Sequence, residues 1–148
     1  PVKGKVVSLE EVPDPAFSTK AMGDGIAIHP SEGRVTAPFA GKVAHVMEKS
    51  KHALIIEHES GVQVLIHVGI NTVSLKGQGF NPKVQVGDSI KAGQLLMEFD
   101  LDAIQQGGLP VITPVIVPDG QDMISHVEIL DNPSASPDVP VLRVHLKA

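Results

Sequence analysis

Glycine and proline cut this chain into short apolar runs, and that punctuation limits the possible folds more than any other feature. Runs rich in Val and Ile recur along the 148 residues: "GKVVSL", "GIAIHP", "GKVAHVM", "HALIIEH", "VQVLIHVGI" and "VPVLRVHL". Among them are spread 14 Gly and 12 Pro. Short β-branched runs at roughly 8–12-residue spacing with turn signals between them predict many short strands. The expected fold is therefore all-β, an antiparallel sandwich or barrel of short strands with at most one or two short helical turns. The longest helical segment is "LDAIQQ", Leu101 to Gln106, stopped by Gly107 and Gly108. "DNPSASPD", Asp131 to Asp138, reads as an exposed loop. No low-complexity linker divides the sequence, so residues 1–148 are expected to form a single domain.

The stretch "QVLIHVGINT", Gln63 to Thr72, raises a chemical question. Side chains alternate across a strand. Val62, Val64, Ile66, Val68 and Ile70 then make one unbroken apolar face, expected to be core. Gln63, Leu65, His67 and Gly69 make the other, less apolar face. The preceding run places His52, Leu54, Ile56 and His58 on one side. A two-residue turn at Glu59-Ser60 sets residue 52 opposite 67. A turn at Ser60-Gly61 sets residue 54 opposite 67, with His52 diagonal to it. In both registers the two histidines share a face, about 5–8 Å apart at Cβ. A three-residue turn would put His52 on the opposite face. Two-residue hairpin loops are the commonest, so adjacency is expected.

Two neighbouring imidazoles admit three readings: a surface pair without a role, a metal pair, or a nucleophile and its helper. Zinc usually takes three or four protein ligands. No H-x-H, H-E-x-x-H or cysteine motif supplies them, so no metal is expected beyond incidental zinc at His52 and His67. As a nucleophile, neutral imidazole can take up a phosphoryl group and pass it on.

Bulk properties exclude other classes. A net charge of −5 gives no nucleic-acid footprint. Four Phe with no Trp or Tyr offer no base-stacking platform. The absence of Cys removes disulfides, thiolate zinc sites and a thiol nucleophile. No apolar run approaches the ~18 residues of a membrane span, and no signal peptide is visible. A cytoplasmic location is expected. The chain begins at Pro1 rather than Met, as a trimmed chain or a piece of a longer protein would.

"VLIHVGINTVSLKGQGF" resembles the signature of the glucose-type IIA component (EIIA type 1) of the bacterial phosphoenolpyruvate-dependent sugar phosphotransferase system. "VPDPAFSTKAMGDGIAIHPSEGRVTAPFAGKV" is similar to that family's N-terminal half. "GDSIKAGQLLMEFDLDAI" and "LPVITPVIV" are similar to its C-terminal half. The resemblance runs from about Val12 to Leu146. It implies an antiparallel β-sandwich in which His67 accepts phosphate from the phosphocarrier protein HPr. His67 then donates it to a IIB domain, which phosphorylates the incoming sugar. His52 matches the second active-site histidine, which supports the phosphoryl group. Ser50 stands where the family commonly has a Thr bonded to that histidine. Phe17, Leu65 and Val73 match apolar positions around the histidines where partners dock, although Leu65 and Val73 also suit ordinary strand packing. Asp14 and Asp24 match motif positions in "VPD" and "GDG". Asn71 departs from the family's usual acidic residue in "HxGIDT", which weakens charge complementarity to a basic partner.

The resemblance implies no cofactor, because the phosphoryl group is carried covalently on His67. It implies membrane contact only indirectly, through a permease to which the domain is fused or against which it acts as a free subunit. It also implies a regulatory role, since phosphate adds about −1.5 to −2 charges at the docking surface. Two rival readings fit less well. "VQVGDSIKAGQLLMEFD" has the cadence of a biotinyl or lipoyl carrier, but no "MKM" or "DKA" places a carrier lysine. A zinc peptidase of related architecture would need a third ligand. "KGQGF", Lys76 to Phe80, reads as a turn and bulge rather than a phosphate loop. His29, His45, His58, His126 and His145 read as surface or strand residues, and Phe39, Phe80 and Phe99 as core.

Overall fold

The computed structural model describes residues 2–47, 51–130, 134–135 and 142–147. Among them the strands in chain order are β1 (Val2–Ser8), β2 (Gly23–Thr36), β3 (Gly41–Val46), β4 (Ala53–His58), β5 (Gln63–His67) and β6 (Phe80–Pro82). They continue with β7 (Ser89–Ile90), β8 (Leu95–Phe99), β9 (Thr113–Pro118), β10 (Ile124–Ile129), β11 (Ser134–Ala135) and β12 (Leu142–Leu146). Two short helices interrupt them, α1 (Pro15–Ser18) and α2 (Leu101–Gln106), with 3₁₀ turns at Leu9–Glu11 and Thr72–Leu75. The main sheet runs β11-β1-β2-β9-β5-β4-β3-β7, with β8 joined to β2 and β6 joined to β8. Every pairing is antiparallel, and β10 and β12 form a separate ribbon. The fold is thus the curled, all-β antiparallel architecture that the short apolar runs predict.

The central strands bury both faces. In β5, Val64 and Ile66 enter the main core while Leu65 enters a second cluster. β9 repeats this with Val115 and Val117 against Ile116, and β2 with Ile26 and Ile28 against Ala27. The second face is covered by the segment after β1, which contributes Leu9, Val12 and Phe17. The side of β5 carrying His67 is therefore more apolar in its surroundings than the bare alternation suggests. Ile70 also departs from expectation and joins the second cluster. β5 ends at His67, and Gly69 turns with φ +73, so the strict alternation stops before Ile70.

Local signals account for most of the helical pieces. α2 occupies the predicted Leu101–Gln106, with the Asp100 carboxylate accepting from Ala103 N at 3.2 Å and Gly107 at the C-cap. α1 was not anticipated. Asp14 caps it by accepting from Ala16 N at 2.9 Å, and Pro15 fits its first turn. "KGQGF" forms the expected turn, with Lys76, Gly77 and Gly79 at positive φ before Phe80 starts β6. Ser134–Ala135, placed in the predicted loop, instead pair with β1. The rest of that loop lies outside the described residues.

At the far end of β5 a side chain replaces a strand partner. The β5–β9 register covers Leu65↔Ile116 and Ile66↔Val115, and counting on from it sets Gln63 against Pro118. Proline has no N–H to give a ladder. The Gln121 carboxamide supplies both groups, accepting from Gln63 N at 2.6 Å and donating to Gln63 O at 2.9 Å.

Ile66 is fully buried in the main core, whereas Ile129 is 45% exposed. Ile66→Ala is expected to lower unfolding free energy by about 2–5 kcal/mol, and Ile129→Ala by less than about 0.5 kcal/mol. Urea denaturation of both variants measures the difference.

Candidate functional site

The β4–β5 hairpin sets the position of His67. Its register is Glu57↔Gln63 through Ala53↔His67, so the loop is the three residues Glu59, Ser60 and Gly61. Gly61 takes φ +94 and its N–H donates to His58 O at 2.8 Å. Both expected two-residue turns are thus replaced by a three-residue loop. His52 nevertheless lies beside His67, contrary to the opposite-face outcome expected for such a loop. β4 begins at Ala53, so His52 precedes the strand and is not bound by its alternation. Lys51 takes φ +57, which turns the chain just before the sheet, while Val68 N donates to His52 O at 2.8 Å. Ala53, directly across from His67, presents only a methyl group and leaves room for both rings.

The two imidazoles meet edge to face, with centroids 4.6 Å apart and planes at 80°. His52 is 5% exposed, and His67 is partly exposed. Phe17, carried by α1, lies 5.0 Å from the His67 ring, tilted by 56°. Burying such a ring stabilises by roughly 1.5–3 kcal/mol. The same contact therefore anchors α1 and walls the histidine. Leu65, two residues along β5, is buried in that second cluster.

His67 Nδ1 lies 2.7 Å from the Gly69 carbonyl. A carbonyl oxygen only accepts, so Nδ1 carries the proton and Nε2 keeps its lone pair. Burial pushes the His67 imidazole below its ordinary range. The Gly69 carbonyl and then the Asp14 carboxylate pull the other way. Burial, and then the charge of His67, bring His52 down to about 4. Both rings are therefore neutral near pH 7, the state a nucleophilic imidazole requires.

The remaining sequence candidates divide. Asn71 takes φ +59, a left-handed conformation that Asn tolerates better than most residues. The Asp24 carboxylate accepts from Gly25 N at 2.8 Å and pairs with Lys20 at 3.6 Å. Ser50 lies outside the described residues, as does the Val73 side chain. Among the described residues no group of three or more His, Asp or Glu side chains is placed to hold a metal. None of the described helices is long and apolar enough to cross a membrane. Sequence reasoning missed the Gly69 carbonyl, because a backbone acceptor has no side-chain signature. A glycine two residues past the histidine was its only trace. It also missed a second histidine pair, His126 stacked on His145 at 4.1 Å, with His145 2.8 Å from Glu128. Their cross-strand register depends on a bulge between Ile124 and His126.

The family model described as phosphoenolpyruvate-dependent sugar phosphotransferase system, EIIA 1, matches residues 1–123, a span that includes both site histidines. The chain belongs to this family. It is a phosphocarrier component of the sugar phosphotransferase system. It is 44% identical over 117 residues to the glucose-specific EIIA component of Oceanobacillus iheyensis, covering 79% of this chain and 70% of that one. Its fold matches the glucose permease IIA from Mycoplasma capricolum with a TM-score of 0.80 at 32% identity, over 96% of this chain and 91% of that one.

The depressed histidines tie stability to pH. Below about pH 6.5 the unfolded chain takes up protons that the folded His52 refuses until about pH 4. The stabilisation is present above that window and is lost as pH falls through it, by roughly 2–3 kcal/mol for His52. Denaturation midpoints from pH 7.5 to 4.5 are expected to fall less steeply in His52→Gln than in the parent protein.

Proposed function

We propose that Nε2 of His67 is the phosphate-accepting atom of this phosphocarrier. The observation that carries the proposal is the 2.7 Å bond from His67 Nδ1 to the Gly69 carbonyl, which commits the proton to one nitrogen and leaves the other as a nucleophile. The donor is phospho-HPr and the acceptor is a IIB domain of a sugar permease, in keeping with the family to which the chain belongs. The N–P bond of the donor breaks as a new N–P bond forms at Nε2, and Nδ1 keeps its proton throughout. Transfer between two nitrogen nucleophiles is nearly balanced, so the site needs positioning and charge neutralisation more than acid–base power. No cofactor enters this scheme.

His52 is assigned to the phosphoryl group rather than to attack. As a residue it is less exposed than His67, and its ring stands edge-on to it at 4.6 Å. A phosphoryl group of about −1.5 to −2 charges on His67 reverses the local field and favours a protonated His52 as hydrogen-bond donor. Phe17 and Leu65 supply an apolar wall, and a docked partner excludes water from the phosphohistidine. Such docking places the work of the protein in the cytoplasm, with the membrane reached through the permease.

Incubation with phosphoenolpyruvate, enzyme I and HPr, followed by mapping of acid-labile phosphate, tests the assignment. His67→Ala is expected to take up no phosphate. His52→Gln is expected to be labelled but to pass phosphate to IIB at least about 10²-fold more slowly. Label on the His67→Ala protein would refute the reading.

A further inference from the structure

The Gly69 carbonyl is itself held in place from both sides of the glycine, on one side by a side chain. Thr72 is fully buried, and its hydroxyl donates to Val68 O at 2.6 Å, closing the turn that contains Gly69. On the other side of the glycine, Ile70 N donates to Pro110 O at 3.1 Å. Gly69 sits at φ +73, and a Cβ there would meet Thr72 Cγ2 at 2.5 Å and Pro110 O at 2.9 Å. The peptide units on both sides of Gly69 are thus tied down, in a space that admits no side chain.

We propose that Thr72 is a positioning residue for phosphoryl transfer: its hydroxyl clamps the Val68–Thr72 turn so that the Gly69 carbonyl stays against His67 Nδ1 and Nε2 stays free of a proton. The inference rests on the reading of His67 as the phosphate acceptor. Free imidazole in water favours the opposite tautomer, with the proton on Nε2, so the carbonyl must remain within bonding distance to hold the reactive form. The Pro110 bond holds the Gly69–Ile70 peptide through its N–H and the Thr72 bond holds the peptide before it, so losing the hydroxyl frees the Gly69 φ that sets where its carbonyl points. The Thr72 hydroxyl has the Val68 carbonyl as its partner, so its effect on transfer passes through the turn.

Imidazole ¹⁵N chemical shifts of the unphosphorylated protein read the tautomer directly. The parent is expected to show His67 with a protonated Nδ1 and a bare Nε2. Thr72→Val, which keeps the shape and loses the hydroxyl, is expected to move the two shifts toward each other. It should also slow phosphate uptake from HPr about ten- to a hundredfold. Thr72→Ser is expected to restore both readouts. Ile90→Val, a core change at the sheet edge, controls for lost stability and is expected to leave both unchanged. A parent tautomer in Thr72→Val overturns the proposal, as does a Thr72→Ser protein as impaired as Thr72→Val. If Thr72→Val does not fold, Thr72→Ala provides the same comparison. Failure of both to fold makes Thr72 a residue of the fold and also overturns the proposal. A parent protein that takes up no phosphate on His67 refutes the assignment of the acceptor instead, while the tautomer comparison still reports on the clamp.

Discussion

The central strands of this protein have two apolar faces, and everything else follows from the need to cover both. Alternate residues of β2, β9, β5 and β4 feed the main core, and the residues between them feed the second cluster. One curled sheet can close over its own inner face. It cannot cover the outer one, so the chain after β1 must return across it with Leu9, Val12 and Phe17. A short capped helix lets this happen, because Asp14 and Pro15 turn the segment and set Phe17 inward.

His67 stands at the margin of that cover, which suits it to the role proposed for it. A ring deeper in the cluster would be closed to a partner. A ring on open surface would titrate near its ordinary value and share its proton between both nitrogens. At the margin, burial keeps both imidazoles neutral while His67 remains partly exposed. Backbone, rather than another side chain, then fixes the proton. A carbonyl acceptor cannot itself ionise, so the orientation of His67 does not depend on the protonation of a neighbour.

The sequence made the architecture legible because period-two alternation and glycine–proline punctuation are local signals. The short strands, the Leu101–Gln106 helix, the turn at Lys76 to Phe80 and the pairing of His52 with His67 were all readable. The adjacency of the histidines came out as expected, but by a different route. The loop has three residues rather than two, and His52 reaches its neighbour because it lies outside the strand, where counting residues no longer assigns a face. Ile70 changed sides for the same reason, once Gly69 had ended the pleat. The short helix at Pro15–Ser18 was passed over, because four residues have no periodicity to detect. Its cap, Asp14 followed by Pro15, was the available clue. The two-residue strand Ser134–Ala135 depends wholly on pairing with distant β1, and nothing within its own loop announces it.

The carboxamide of Gln121 has a consequence for how the β4–β5 hairpin is held. The β5–β9 register ends at Leu65, which leaves the Gln63 rung without a strand partner on that side. Backbone groups left unpaired inside a sheet cost stability unless another group takes the partner's place. Gln121 imitates a peptide group there, presenting one donor and one acceptor at the right spacing. The hairpin that carries His67 is therefore held at its far end by a mimic of backbone. The β4–β5 pair thus keeps its backbone groups satisfied at the end away from His67, where β9 no longer pairs with it.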